Sequence, residues 1–373
     1  MLRVISLVLC VILFPWSAYA ESVDEAAASI VESFENMFGV TEGKRRNHTK
    51  GFCFEAEFIP AESAIRSYTV SPIFTQTSRV VGRLSHSGGN DTAADDKPGD
   101  YGLAIRIAPD DNVYIISANT LDFFPVSTPQ AFAELMRAKA KGKEAVEAFA
   151  AKNPEFQAFK AHHSKRDKTL RPFEGSTYNS INSFYLIDDE GKRTAVRWSF
   201  VPTIEQEVVL APTSDFFFEN MQANLDAKGI VWDIIATIAN DDDVIDNATI
   251  PWKGDRQKIT VAKLKILSIS TDQDGECDTI NFDPSVLGEG LEPSEDPLLA
   301  ARTIAYAISA GKRLSEKQKP RRRVSELQID LLHLARSSDL AQERKSGSPF
   351  AIWAKRQKRK PTRSRWRYAR ITS

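Results

Sequence analysis

The chain has 373 residues, of which 42% are hydrophobic and 27% charged, and its 49 basic residues nearly balance 50 acidic ones. This composition excludes an intrinsically disordered or fibrous protein and provides enough apolar material for a folded core. No apolar run in the sequence reaches the length of a membrane-spanning helix.

The N-terminus has the pattern of a secretory signal. Arg3 precedes an apolar run over residues 4–14, and small residues around Ala20 provide a cleavage site. The run is too short to span a membrane. We therefore predict that residues 1–20 are a signal peptide and that the mature protein begins at Glu21.

Two cysteines remain in the mature chain, Cys53 and Cys277, because Cys10 lies within the predicted signal. An exported protein enters a compartment in which a disulfide can form. Sequence alone gives no distance between two thiols, so a disulfide and two separate buried cysteines both stay open.

A histidine follows the first predicted helix, which covers residues 23–38. His48 lies at a transition from a loop to a strand, and Phe52, Phe54 and Phe58 alternate along that strand as on a half-buried sheet. Imidazole is the side chain whose unperturbed charge changes near neutral pH, so His48 is a candidate acid–base catalyst. The alternative is an ordinary structural histidine. A second histidine, His86, is ranked lower because two glycines soon after it indicate a loop.

The middle of the chain alternates between strand and helix patterns. Helices are predicted over residues 129–163, where large apolar residues recur at helical spacing. A hairpin is predicted over residues 177–202, with its turn at residues 188–191. Further strands are predicted at residues 79–89, 100–107, 113–119, 229–240 and 260–272.

A long helix is predicted to begin at Asp296 and Pro297, because aspartate caps free N–H groups and proline suits the first helical position. On this helix Arg302, Tyr306 and Arg313 share one face. A nearby cation favours the ionised form of an acid, and tyrosinate is a known ligand of haem iron. The alternative is that these three side chains form a solvent-facing row on an ordinary amphipathic helix.

The C-terminal extension, residues 316–373, ends in a strongly basic segment. Residues 352–373 contain nine Lys or Arg and no acidic residue, while the rest of the mature chain is net acidic. Such a terminus is typically disordered. Contact with anionic lipid is an alternative, and a role in nucleic-acid binding is not expected for an exported protein.

The sequence Arg-Thr-Ile-Ala-Tyr at residues 302–306, with Glu-Pro-Ser-Glu-Asp-Pro-Leu-Leu before it and Arg313 after it, resembles the proximal haem helix of the catalase superfamily. Residues 272–284 resemble the shorter catalase-related peroxidases. The resemblance implies an α+β fold, an antiparallel eight-stranded β-barrel with peripheral helices, over a haem-binding domain at residues 21–315. It also implies haem b as the cofactor.

The same resemblance implies roles for individual residues. Tyr306 would be the axial ligand of the haem iron and Arg302 would brace it. His48 would accept a proton from peroxide, with Ser85 fixing the imidazole from behind; a serine on the wet face of a strand is the alternative for Ser85. The remaining cofactor contacts would come from Arg45, Arg83, Phe132 and Arg313, although Phe132 is equally consistent with ordinary helix packing.

Two positions depart from the family pattern. Tyr101 stands where arginine is usual. Ala118 stands where true catalases have the first of two asparagines, the amide that orients peroxide for its own oxidation, and Asn119 follows it. The missing amide predicts feeble release of oxygen, while a one-residue shift of the strand would turn Asn119 inward and restore the donor.

Taken together, the sequence predicts a periplasmic haem peroxidase that reduces hydrogen peroxide, and possibly organic hydroperoxides, with electrons from a small organic donor. Two alternatives stay open: an enzyme for lipid hydroperoxides, which would use the same residues, and a haem carrier without turnover, which would not need His48. The donor and the oligomeric state are not encoded in any pattern of the sequence.

Overall fold

The fold is built around an antiparallel sheet that closes on itself. A computed structural model of the protein describes residues 21–62, 64–109 and 112–318, so the predicted signal and nearly all of the C-terminal extension lie outside the described residues. The sheet contains β1 (Gly51–Pro60), β2 (Ser78–His86), β3 (Tyr101–Ile107), β4 (Tyr114–Asn119), β5 (Tyr178–Asn179), β6 (Phe184–Ile187), β7 (Arg193–Pro202), β8 (Val231–Ile238), β9 (Lys258–Thr271) and β10 (Leu291–Pro293).

Eight of these strands form a closed barrel. They run in the order β1-β2-β3-β4-β5-β7-β8-β9, and β9 pairs again with β1, while β6 and β10 extend the sheet beside β7. Closure satisfies the backbone groups that an open edge would leave unpaired. The predicted eight-stranded barrel is therefore confirmed.

The alternating pattern of the strands separates the two faces of the barrel wall. Phe52, Phe54 and Phe58 on β1 point into the barrel core, as their spacing predicted. Gly82 lies opposite Phe54 and leaves room for its ring, since a Cβ at Gly82 would come within 2.1 Å of it. The outer faces of β2, β3 and β4 are then free to carry polar side chains.

Helices pack around the barrel wall. They are α1 (Val23–Phe38), α2 (Pro129–Lys141), α3 (Lys143–Lys152), α4 (Pro154–His163), α5 (Phe217–Lys228) and α6 (Pro297–Gln318). Ser22 and Glu25 form a capping box that starts α1. The backbone N–H of Leu298 donates to Asp296 Oδ1 at 2.9 Å, so α6 begins as predicted.

Three features go beyond the sequence prediction. Helix α5 was not predicted, because its apolar residues show no clear helical spacing. Helix α6 continues past residue 315, and Glu316 on its last turn bonds to Arg46. Cys53 and Cys277 form a disulfide, which resolves the open question of their pairing.

Within the described ranges no helix is both long and apolar enough to cross a membrane.

Candidate active site

A cavity of about 230 Å³ lies between the outer face of the barrel wall and helices α1 and α6. All eight residues that the sequence singled out line it: His48, Ser85, Arg302, Arg45, Arg83, Phe132, Tyr306 and Arg313. They come from the loop before β1, from β2, from α2 and from α6. The fold therefore gathers into one place residues that are up to 268 positions apart in the chain.

His48 is held tightly on one side of this cavity. Its backbone lies in the left-handed region, with φ of 57°, which is uncommon for a residue other than glycine. Its Nδ1 lies 3.0 Å from Ser85 Oγ, as the family resemblance implied. With Nδ1 turned toward this hydroxyl, Nε2 is the nitrogen left to exchange a proton.

The surroundings of His48 keep its imidazole neutral. Burial lowers the pKa of His48 to about 3, and the positive charges of Arg83 and Arg302 act in the same direction. Because the neutral ring is the form that can accept a proton, this environment keeps His48 ready as a base throughout the physiological pH range.

We expect kcat/KM for peroxide to show no loss centred near pH 6.5 when the pH is lowered from 8 to 5. An unfolded histidine binds a proton below a pKa of about 6.5, but the native His48 does so only near pH 3. Its contribution to folding stability is therefore complete above pH 6.5 and is lost as the pH falls toward 3. A pH–rate profile that drops about tenfold per unit below pH 6.5 would contradict this assignment.

The imidazole of His48 rests on Gly102 of β3. A Cβ at that position would lie 2.7 Å from Cε1 of His48 and 2.8 Å from its Nδ1. Only glycine therefore allows the ring to lie against the strand at this distance.

We expect Gly102→Ala to lower kcat/KM for peroxide by roughly 100-fold, because a displacement of about 1 Å at a reacting group has costs of this order. Gly311→Ala provides a control for adding a methyl group, since Gly311 is an exposed residue of α6 without a positive φ, and a Cβ there would have nothing within 4 Å. Equal rates for Gly102→Ala and the wild type would contradict the close approach.

The same cavity is lined by the predicted iron ligand, Tyr306 of α6. The Arg302 guanidinium donates to Tyr306 Oη at 3.1 Å and to Asn182 Oδ1 at 2.8 Å. Asn182 in turn donates to Asp296, the residue that caps α6, at 2.8 Å. This chain of contacts fixes the guanidinium of Arg302 beside the phenol oxygen of Tyr306.

Three arginines cluster at one edge of the cavity: Arg83 and Arg313 are buried and Arg45 is half-buried. Burial lowers the pKa of Arg45, and the charges of Arg83 and Arg313 lower it further. Arg83 is balanced by Asp272, whose two oxygens accept from it at 2.8 Å each. The excess of positive charge therefore lies on Arg45 and Arg313.

These two arginines fit the carboxylates of a haem. Arg45 and Arg313 donate only to backbone carbonyls, and Nε and Nη1 of the buried Arg313 have no partner among the described residues. A buried guanidinium without an anion is costly. Haem b carries two propionates, which would balance the two unpaired arginines. Phe132 and Phe124, whose ring centroids lie 4.9 Å apart, offer apolar surface to such a ring system.

The structure corrects the assignment of the peroxide-orienting amide. Ala118 pairs with Leu103, and both pack in the barrel core. Asn119 pairs with Gly102, so it lies on the face of the wall that carries His48. Its Oδ1 accepts from the backbone N–H of Leu121 at 2.8 Å, which leaves the amide N–H₂ as a donor. The interpretation that Ala118 occupies the catalytic amide position is therefore wrong.

Sequence reasoning missed several residues of the site. Asn182, Asp272 and Gly102 act through partners that are distant in the chain. The signal for Asn182 and Gly102 was only their polar or small character, whereas Asp272 opens the segment that resembles the catalase-related peroxidases but had no role assigned to it. His86 does not belong to the cavity: it lies at the end of the barrel core, where its Nε2 is 2.7 Å from Asp95. Tyr101, which replaces the usual arginine, packs edge-on against His86.

Comparison with known proteins agrees with this geometry. The family model for Catalase matches residues 40–320. The chain belongs to the catalase family. It is 33% identical over 300 residues to a catalase-related peroxidase of Synechococcus elongatus, covering 76% of this chain and 87% of the relative. It is 25% identical over 288 residues to a catalase-related peroxidase of Mycolicibacterium paratuberculosis, covering 75% and 92%.

Among solved structures, a bacterial catalase matches with a TM-score of 0.62 and 20% identity over 75% of this chain. Catalase A from Saccharomyces cerevisiae matches with a TM-score of 0.61 and 16% identity over 74% of it. The chain spans only 60% and 63% of the lengths of these two catalases. These two structures share the fold of the chain, and the family model with the two relatives confirms the predicted kinship with catalase-related peroxidases.

Proposed function

We propose that the protein is a haem-dependent peroxidase that reduces hydrogen peroxide with electrons from a small organic donor. The observation that carries the proposal is that one cavity is lined both by a histidine kept neutral by its surroundings and by a tyrosine to which an arginine donates. The names of the two catalase-related peroxidases support the same chemistry. The two unpaired arginines support haem b as the cofactor.

When bound, haem supplies an iron centre at which peroxide is reduced and to which a donor returns electrons. The residues of the chain would hold it and move the protons. Tyr306 would provide the oxygen that binds the iron, and Arg302, which donates to that oxygen, would stabilise its anionic form. Arg45 and Arg313 would bind the carboxylates of the cofactor.

On the other side of the cavity, His48 would accept a proton from peroxide at Nε2, while Ser85 holds Nδ1. Asn119 would donate an amide hydrogen to the peroxide oxygen. Because this donor is present, the sequence argument for feeble oxygen release no longer applies. We propose that oxidation of a second peroxide molecule accompanies the peroxidase reaction.

The test begins with the absorption spectrum of the purified protein. Haem held by a tyrosinate is expected at about one per chain. Rapid mixing with hydrogen peroxide should then change the spectrum, and a phenolic donor should restore it over repeated turnovers. A protein that binds haem but is only bleached by peroxide would be a haem carrier, and the proposal would be abandoned.

We also propose export to the periplasm through a cleaved signal at residues 1–20. The positive charge of Arg3 and the length of the apolar run that follows it support this proposal. The Cys53–Cys277 disulfide supports it as well, because such bonds are typical of oxidising compartments. Mass spectrometry of the protein from a periplasmic extract should give a mature N-terminus at Glu21. Full-length protein confined to the cytoplasm would contradict the proposal.

A further inference from the structure

The three arginines at the edge of the cavity share one source of hydrogen-bond acceptors, residues 272–283, which we call the acceptor segment. The carbonyl of Cys277 accepts from Arg45 Nη2 at 2.8 Å, and the carbonyl of Ile280 accepts from Arg45 at 3.1 Å and from Arg313 at 3.4 Å. Asp272 accepts from Arg83, the third predicted cofactor contact, which also donates to the carbonyls of His48 and Thr49. The positions of Arg45 and Arg313 therefore depend on this segment, and that of Arg83 depends on it in part.

The acceptor segment has little regular structure of its own. It contains a single short 3₁₀ turn, Glu276–Thr279, and its other residues form turns and loops. Backbone of this kind is fixed by tertiary contacts more than by its own hydrogen bonds. What anchors the segment thus decides where the arginines lie.

The disulfide to β1 is a covalent anchor of the segment, and it adds to the contacts of Glu276 with Arg79, of Asp278 with Lys317 and of the Phe282 carbonyl with Ser117. Cys277 lies in the middle of the segment and is bonded to Cys53, 224 residues earlier, with both cysteines buried. Gly275 lies against the same bond, because a Cβ there would be 2.4 Å from Cys53 Cβ. Asp272 Oδ1 lies 3.7 Å from the sulfur of Cys277 and 4.0 Å from that of Cys53. The bond, the carboxylate and the arginines form one contiguous group.

We propose that the Cys53–Cys277 disulfide and Asp272 are positioning residues for the cofactor, so that tight retention of haem depends on the oxidised cysteine pair. The inference rests on the proposed haem binding. A dithiol reductant would break the S–S bond, leaving two protein thiols while the dithiol is oxidised to its own disulfide. The acceptor segment would then be released, and Arg45 and Arg313 would lose the acceptors that aim them at the propionates.

The test measures transfer of haem from the holoprotein to excess apomyoglobin by absorbance. The samples are the wild type, the wild type treated with dithiothreitol until two thiols per chain titrate, the Cys53→Ser/Cys277→Ser double variant, and Asp272→Asn. Hydrogen bonds to charged groups are the strong class, so each change is expected to speed haem transfer roughly tenfold or more.

Leu186→Ala is the matched control, because it removes buried side-chain volume from β6 without touching the cavity. It should lower Tm and leave the transfer rate at the wild-type value. A disulfide that acts only as a structural staple would lower Tm in the double variant with no change in haem transfer.

Wild-type transfer rates in the reduced protein and in Asp272→Asn would overturn the inference, even if the double variant failed to fold. That result leaves haem binding by the wild type intact, so it is distinct from failure of the proposed function. Absence of haem from the oxidised wild type would instead refute both.

Discussion

Replacing Tyr306 with phenylalanine is expected to abolish stable haem binding. The ring of Tyr306 packs beside the buried cluster around Cys53 and Phe282, and phenylalanine would keep that packing while removing the oxygen. Loss of an outer-shell partner alone costs about 10- to 100-fold in metal affinity, so loss of the ligand itself should cost more. Arg302 would also lose the oxygen to which its guanidinium donates at 3.1 Å.

The measurement is the ratio of haem to protein together with the absorption spectrum, before and after gel filtration. Tyr185→Phe is a suitable control, because that hydroxyl bonds to Glu295 at the surface, away from the cavity. It should retain the haem content of the wild type. A Tyr306→Phe protein with full haem content and an unaltered spectrum would exclude Tyr306 as the iron ligand.

Replacing Asn119 with alanine should lower oxygen evolution from hydrogen peroxide by about 100- to 1000-fold, the range found when one preorganised donor is removed from a reacting centre. The amide is preorganised because its Oδ1 is fixed by the backbone of Leu121. Oxidation of an organic donor should fall less, since it does not require a second peroxide to be held in place. An oxygen electrode and a dye-oxidation assay on the same preparations would measure both.

Ala118→Asn separates the two interpretations of this strand. Because Ala118 points into the barrel core, its replacement should bury an unpaired amide and lower Tm without raising oxygen evolution. If Ala118→Asn evolved more oxygen than the wild type and Asn119→Ala evolved as much as the wild type, residue 118 would be the one that faces the cavity, as the sequence first indicated.

The sequence predicted those parts of the site that short segments encode. The Arg302/Tyr306 spacing is fixed by helical geometry alone, and Asp296 with Pro297 marked where the helix begins. His48 and Ser85 lie in recognisable local motifs, and the structure brings them to 3.0 Å. The alternation of Phe52, Phe54 and Phe58 likewise identified the inner face of β1.

What could not be predicted depended on strand register or on distant contacts. Successive strand residues face opposite sides, so a motif read one position early exchanged Ala118 for Asn119. Asp272 meets Arg83 across 189 residues, and Asn182 meets Arg302 across 120. No local pattern encodes such pairs. The Cys53–Cys277 bond was undecidable for the same reason, because only the folded barrel brings the two residues together.

The first and last helices of the described chain line the same cavity. Ile30 and Phe34 of α1 reach it from one end of the sequence, and Ala305 and Tyr306 of α6 reach it from the other. A nascent chain that has not yet added α6 therefore has neither the predicted iron ligand nor a complete cavity wall. Cofactor capture is therefore expected only after α6 has been synthesised, and chains truncated before residue 297 should accumulate only as apoprotein.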